Sequence, residues 1–229
     1  MAEADNIKDI FAPTEYTAMI NLFLSQNKHK VINKHVCEIG TGNGIIAANT
    51  AILGAARITV SDLEKAALSA ARSCINEVKD ATQSIEYLHG TLWEPYDNQV
   101  FDLILANLPH FPGENVMLSG RLPTWSSGGA DGRKFLDPFI EGIARHLKRT
   151  GLAVFTHNCF VDLNETRAKM ETLGLTMTTD YETLVFIPPV KAAALTHGVS
   201  GYGSNILNVG DYSFGHVRLA MASWPESSF

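Results

Sequence analysis

Apolar positions in this chain begin with a helical period and then alternate between strand and helix patterns. Over Thr17–Ser25, Met19, Ile20, Leu22, Phe23 and Leu24 share a helical face, with Pro13 and Thr14 upstream as start signals. His35–Gly40 reads as a short apolar strand, Ile45–Leu53 as a helix closed by Gly54, and Arg57–Ser61 as a β-rich strand ending at Asp62. Glu64–Val78 is amphipathic, with Ala67, Leu68, Ala71, Cys74, Ile75 and Val78 returning at helical spacing. Ile85–His89 predicts a third strand. Val100–Ala106, apolar except for Asp102, predicts a central strand covered on both faces. Lys134–Leu147 puts Phe135, Phe139, Ile140, Ile143 and Leu147 on one helical face. Leu152–Thr156 then reads as a fifth strand, and Leu163–Leu173 as a helix stopped by Gly174.

Strands that alternate with helices, joined by crossovers long enough for right-handed βαβ units, predict a doubly wound α/β fold of Rossmann type with a mostly parallel sheet. Beyond Leu175 the alternation stops. Thr183–Ile187 and Phe214–Ala222 are two strands with no helix between them, hence an antiparallel pair. The expected organisation is one domain over 1–229: a helical cap at 1–34, a core at 35–187, a loop at 188–213, and a last strand and tail at 214–229. Loops of that length are uncommon in compact domains and are often functional, so 188–213 is expected to act as a lid or substrate loop. His197 and Tyr202 in it are candidate acceptor contacts.

The candidate chemistry centres on Val36–Gly44, Val-Cys-Glu-Ile-Gly-Thr-Gly-Asn-Gly, where a strand runs through a tight turn into a helix. Gly40, Gly42 and Gly44 remove the Cβ atoms that would keep a ligand from the backbone, and the turn points amides outward at the positive helix end. A dinucleotide fingerprint has the spacing G-x-G-x-x-G, whereas this turn has E-x-G-x-G-x-G. The Glu38 carboxylate would repel a pyrophosphate but can accept hydrogen bonds from an ammonium group. Asp62, twenty residues past Gly42 at the tip of the second strand, sits where an acid takes ribose hydroxyls; capping the following helix is the alternative. Leu63 would flank the ligand, and Thr91 and Leu92 after the third strand would border a base through a hydroxyl and a backbone N–H. Trp93 reads either as part of that border or as a core anchor.

E-x-G-x-G-x-G resembles the first motif of class I S-adenosylmethionine-dependent methyltransferases, whose turn wraps the methionine part of the cofactor. That resemblance implies S-adenosyl-L-methionine as cofactor, with Glu38 at its amine and Thr41 in the turn. It also implies a seven-stranded sheet whose last strand inserts antiparallel. Asn107-Leu108-Pro109-His110 resembles the Asn-Pro-Pro-Tyr motif of amino- and amide-directed members, with Leu108 replacing the first proline and His110 the tyrosine. There the Asn side chain and the following carbonyl accept from the substrate NH₂. Asn107 therefore becomes a catalytic and cofactor-side candidate. His110, which can titrate near neutrality, reads as a general base or as a solvent-facing loop residue. Leu108, Pro109, His110, Phe111, Tyr16 and Trp125 complete the acceptor candidates. With Phe11–Glu15, Trp93-Glu94-Pro95 and Gly128–Gly132, the order of motifs over about 10–158 resembles the release-factor glutamine methyltransferase family and its small-domain relatives.

Composition sets bounds on this reading. A 229-residue chain with 45% hydrophobic and 18% charged residues fits an ordinary globular protein. A net charge of −6 without a Lys/Arg cluster argues against nucleic-acid partners and favours a small-molecule or protein side-chain acceptor. Cys37, Cys74 and Cys159 fall inside apolar patterns with no C-x-x-C pair, which predicts small core residues in a reducing compartment and no metal site. No membrane-length apolar run or signal peptide is evident, so a soluble, cytoplasmic protein is expected. Three other readings stay open. One is a nucleotide-dependent oxidoreductase, which lacks its usual glycine spacing. Another is a non-catalytic methyltransferase-like subunit that binds cofactor or a partner. The third is a base methyltransferase, in which Phe111 and Trp125 would stack on the base.

Overall fold

A computed structural model describes residues 12–113, 127–189 and 206–225. In chain order these form α1 (Glu15–Gln26), β1 (His35–Ile39), α2 (Ile45–Ile52), β2 (Arg57–Asp62), α3 (Lys65–Asn76), β3 (Ser84–His89) and β4 (Phe101–Ala106). They continue with α4 (Leu136–His146), β5 (Leu147–Asn158), α5 (Leu163–Thr172), β6 (Thr176–Ile187), β7 (Ile206–Val209) and β8 (Tyr212–Ser223). The sheet runs β3-β2-β1-β4-β5-β8-β6, with β7 added on β8. β3 through β5 are parallel, and β8 enters antiparallel between β5 and β6. The strand order reverses between β1 and β4, which opens a crevice beyond their carboxyl ends where α/β sheets bind ligands.

Successive side chains of the central strands go to opposite layers. Val36, Leu103 and Val154 face Ile20, Phe23, Leu24, Ile46 and Ile75 of α1, α2 and α3. Cys37, Ile104 and Phe155 face Phe139, Ile140 and Ile143 of α4 and Met170 of α5. Burying each large α4 side chain contributes roughly 1.5–3 kcal/mol before entropy is counted. Trp93 is part of this second layer: its ring stacks on His146 at 4.5 Å and its Nε1 donates to the Phe139 carbonyl at 2.8 Å. It is a core anchor.

The seven strands expected along the sheet are present, and an eighth lies inside the expected loop. β7 pairs Ile206–Val209 with Tyr212–Gly215 across a turn at Gly210, whose φ is +58°. Phe214 and Gly215 pair with β6 on one side and β7 on the other, so β7 continues the edge that β5 occupies from Val217 onward. The loop reading at 188–213 therefore fails over 206–209, and 190–205 lies outside the described residues. β6 begins at Thr176, earlier than expected, because Thr176–Asp180 lie on an exposed edge with a register shift between Thr178 and Tyr181 that hides the strand period. No helix among the described residues is long and apolar enough to cross a membrane.

Candidate functional site

The glycine turn is stitched to its surroundings by hydrogen bonds. Glu38 is 2% exposed, and its Oε2 accepts from Thr41 Oγ1 at 2.8 Å and from the Ala47 amide at 2.9 Å. The Gly40 and Thr41 amides both donate to the Ser61 carbonyl at 3.0 Å, which ties the turn to β2. Gly40 has φ +69°, and a Cβ there would come 3.1 Å from Leu108 Cδ2, so Leu108 packs directly over the turn. Gly44 has a different role from the expected one. A Cβ at Gly44 would lie 2.6 Å from Ala71 Cα, and the residue does not line the cleft; it lets α2 approach α3.

Asp62 Oδ2 accepts from the Gly42 amide and Oδ1 from the Glu64 amide, both at 2.9 Å. The α3 cap is Glu64, so Asp62 is a link between β2 and the glycine turn rather than the helix cap. Burial raises the Asp62 pKa, against the opposing pull of these amides. Burial also pushes Glu38 up to about 8, against the Thr41 and Ala47 hydrogen bonds.

Glu38 makes stability depend on pH in a definite direction. Its folded pKa of about 8 lies above the ordinary carboxyl value of 4.5, so the folded state holds the proton more tightly. The associated stabilisation is complete below about 4.5 and is lost as pH rises through about 8. Glu38→Gln is expected to melt at a higher temperature than the parent chain at pH 8.5, with the difference closing near pH 4. Thermal melts at the two pH values check this. A difference that does not change with pH rules out the buried acid as its source.

Beyond the ends of β1 and β4 lies a cleft of about 1120 Å³, its open mouth included. Of the residues singled out in the sequence, Glu38, Gly40, Thr41, Gly42, Asp62, Leu63, Thr91, Leu92, Asn107, Leu108 and Pro109 line it. Ala12, Thr14 and Thr17 from the start of α1 line it too, together with Asn43, Glu64 and Phe135, which the sequence did not single out. The Thr14–Thr17 capping box was the available signal for the α1 contribution. Among the described residues of this lining Asp62 and Glu64 are the carboxylates, Glu38 is an acid whose burial favours its protonated form, and there is no Lys or Arg. Such a wall attracts an ammonium and repels a pyrophosphate. Leu92 adopts φ +50°, a left-handed conformation that a non-glycine residue holds at a cost of about 1–3 kcal/mol.

The acceptor side is built at the end of β4. The register pairs Ala106 with Phe155, so Asn107 comes alongside Thr156, whose Oγ1 donates to Asn107 Oδ1 at 2.9 Å. His110 is 6% exposed, so the solvent-facing reading is wrong. Its Nδ1 bonds the Leu108 carbonyl at 2.5 Å, and its ring meets Tyr16 edge-on at 5.7 Å. Neither His110 nor Tyr16 lines the cleft. Phe111 is also buried, in a small cluster with Cys159, Phe160 and Ile187, so it is no exposed stacking platform. Trp125, His197 and Tyr202 lie outside the described residues.

The glycines at 128–132 clamp this segment. Gly128 N donates to the Phe111 carbonyl and Gly113 N to the Gly129 carbonyl, both at 2.8 Å. A Cβ on Gly128 would lie 2.7 Å from His110 Cα. Among the described residues no group of His, Cys, Asp and Glu could hold a metal ion.

Comparison with known proteins places this arrangement. The family model for ribosomal protein L11 methyltransferase (PrmA) matches residues 14–109. A Methanocaldococcus jannaschii protein named "Putative protein N5-glutamine methyltransferase MJ0928" is 32% identical over 174 residues, covering 75% of this chain and 86% of that protein. The release factor glutamine methyltransferase of Gloeobacter violaceus is 33% identical over 124 residues, which are 51% of this chain and 43% of that protein. The chain thus spans most of the first relative and under half of the second. The crystal structure of ribosomal protein L11 methylase from Lactobacillus delbrueckii subsp. bulgaricus has a TM-score of 0.54, with 92% of this chain and 79% of that chain covered. At 18% identity this is a likeness of fold.

Proposed function

We propose that this chain, which belongs to the class I S-adenosylmethionine-dependent methyltransferases in the family of its Methanocaldococcus relative, methylates a side-chain amide nitrogen of a protein. The observation that carries the reading is the pair of acceptors at the end of β4. Asn107 Oδ1 and the Leu108 carbonyl belong to adjacent cleft-lining residues, and each is steadied by an internal donor, Thr156 and His110. Each of these oxygens has a second lone pair. Together they suit an NH₂ group, which offers two hydrogens and presents its lone pair away from them. An amide nitrogen is weakly nucleophilic, so rigid acceptors that take up its hydrogens matter more for it than for an amine.

The cleft residues suit S-adenosylmethionine, which when bound supplies a methyl group on a sulfonium. Glu38 would receive the cofactor's ammonium and Asp62 its ribose hydroxyls. The bare backbone around Gly40 and Gly42 admits close approach, since a Cβ at Gly40 would already press on Leu108. Leu63 and Leu92 give apolar contact toward the base, beside Thr91. The acidic wall, with no Lys or Arg among the described residues, disfavours a nicotinamide dinucleotide, which carries a pyrophosphate. The chain's part in transfer is to align the acceptor, hold its hydrogens and keep water out.

The names of the relatives support a protein acceptor, one being named for glutamine and the matching family for ribosomal protein L11. The test is incubation with methyl-labelled S-adenosylmethionine and four peptides that differ only at one central residue: glutamine, asparagine, lysine or arginine. Label on the glutamine peptide, located by fragment mass spectra, is the expected result. Label on lysine or arginine alone replaces the amide reading with an amine-directed one. Cofactor binding without label on any peptide favours a non-catalytic subunit.

A further inference from the structure

We propose that His110 is a positioning residue whose imidazole, protonated at Nδ1, holds the Leu108 carbonyl toward the acceptor nitrogen. The role of that carbonyl rests on the reading above; the contact itself does not. Nδ1 lies 2.5 Å from the Leu108 oxygen, and a carbonyl can only accept, so the proton is on Nδ1. His110 is buried and absent from the cleft wall, whereas Asn107, Leu108 and Pro109 all reach it. The imidazole therefore acts through its neighbour's carbonyl and not on the substrate.

Tyr16 packs against the ring, and the His110 backbone is held from several sides. The Tyr16 ring meets the imidazole edge-on at an interplanar angle of 84°. Asn158 Nδ2 donates to the His110 carbonyl at 3.1 Å, while Asn158 Oδ1 accepts from the Phe160 amide at 2.9 Å. Gly128 and Gly132 press on the His110 backbone so closely that a Cβ on either would come within 2.8 Å of it. A donor anchored this firmly fixes the direction of the carbonyl it bonds.

Leu108 needs that support. A proline at 108 would lock φ near −65° without outside help, whereas leucine leaves the peptide freer to turn. His110 thus does through a hydrogen bond across two residues what a pyrrolidine ring does covalently. Leu108 and His110 act as a coupled pair. The paired acceptor follows the same plan, since Thr156 fixes Asn107 as His110 fixes Leu108.

Two measurements test the proposal. Long-range ¹H–¹⁵N spectra of the unaltered protein labelled at histidine, with His110 assigned by loss of its signals in His110→Asn, should show a protonated Nδ1. A proton on Nε2 in place of Nδ1 overturns the proposal whatever the activity. In single-turnover assays with the glutamine peptide, His110→Ala should lose at least about tenfold in rate, with S-adenosylhomocysteine affinity within about twofold by calorimetry. Adding Leu108→Pro to His110→Ala should recover at least about threefold of that rate. An unchanged rate in His110→Ala, or no recovery in a folded double variant, overturns the coupling. A parent protein inactive on all four peptides defeats the amide reading, and the tautomer then still decides the contact.

Discussion

Asn107→Ala is expected to lower the single-turnover rate of methyl transfer by about 10²–10³-fold, the range seen when a preorganised polar group at a reacting centre is removed. Cofactor affinity should change much less. Asn107 follows β4 at the strand-order switch, and Thr156 on the neighbouring strand holds its Oδ1 at 2.9 Å. Alanine deletes the acceptor and leaves the Thr156 hydroxyl without its partner, but it does not touch Glu38, Asp62 or the glycine turn. Asn107→Asp keeps the acceptor oxygen, turns the NH₂ donor into a second acceptor and adds a negative charge, so an intermediate rate is expected for it. Rapid-quench kinetics with saturating cofactor, together with calorimetry of S-adenosylhomocysteine, separates the two effects. Equal losses in rate and in cofactor affinity would make Asn107 a cofactor ligand and remove it from the acceptor site.

The largest expected effect on stability is that of Gly142→Ala. A Cβ on Gly142 would lie 2.1 Å from Trp93 Cδ1 and 2.2 Å from its Nε1. The indole has nowhere to go. It stacks on His146 with an interplanar angle of 1° and on Phe139 with 7°, meets Tyr96 edge-on at 5.8 Å, and bonds the Phe139 carbonyl at 2.8 Å. Either α4 moves off the sheet or the indole leaves the core. Trp93 is partly buried, and losing a tryptophan from such packing costs up to about 3–5 kcal/mol, a large share of the roughly 5–15 kcal/mol available to a domain. Urea unfolding should show the midpoint falling with little change in slope, and melting should drop by about 10 °C. A melting shift under about 2 °C would mean the helix adjusts at little cost and the packing is looser than it looks. Gly90, Thr91 and Leu92 precede this anchor and line the cleft, so the folded fraction should also bind cofactor more weakly.

What could be read in the sequence was whatever a short window encodes. Val36–Gly44 spells a buried strand, a turn and a helix start in nine residues, and the cofactor-side candidates follow from it and from Asp62 at a fixed remove. What escaped depends on partners far along the chain. Gly44 looked like a ligand contact because spacing says that a Cβ is unwelcome but not that Ala71 is the reason. His110 read as a base or a solvent-facing loop residue, and Phe111 as an acceptor contact or stacking platform, because their burial comes from Tyr16, from Phe160 and from the glycines at 128–132. Thr156 showed no motif, since its tie to Asn107 exists only through the register of β4 on β5. β7 is four residues long, with Leu207 and Val209 exposed, and so carries too little pattern to stand out.

The position of β8 has a bearing on how the chain reaches this state. β8 comes after β6 in the sequence, yet it lies between β5 and β6. Until residues 212–223 are synthesised and docked, β5 and β6 both present open edges, and β6 has no partner in the sheet. Open edges of that kind invite pairing between chains. The parallel half of the sheet can assemble as it is made, but the molecule cannot close the other half in the order of synthesis. A newborn chain therefore passes through an interval in which the ligand crevice is already framed while the far side of the sheet remains sticky.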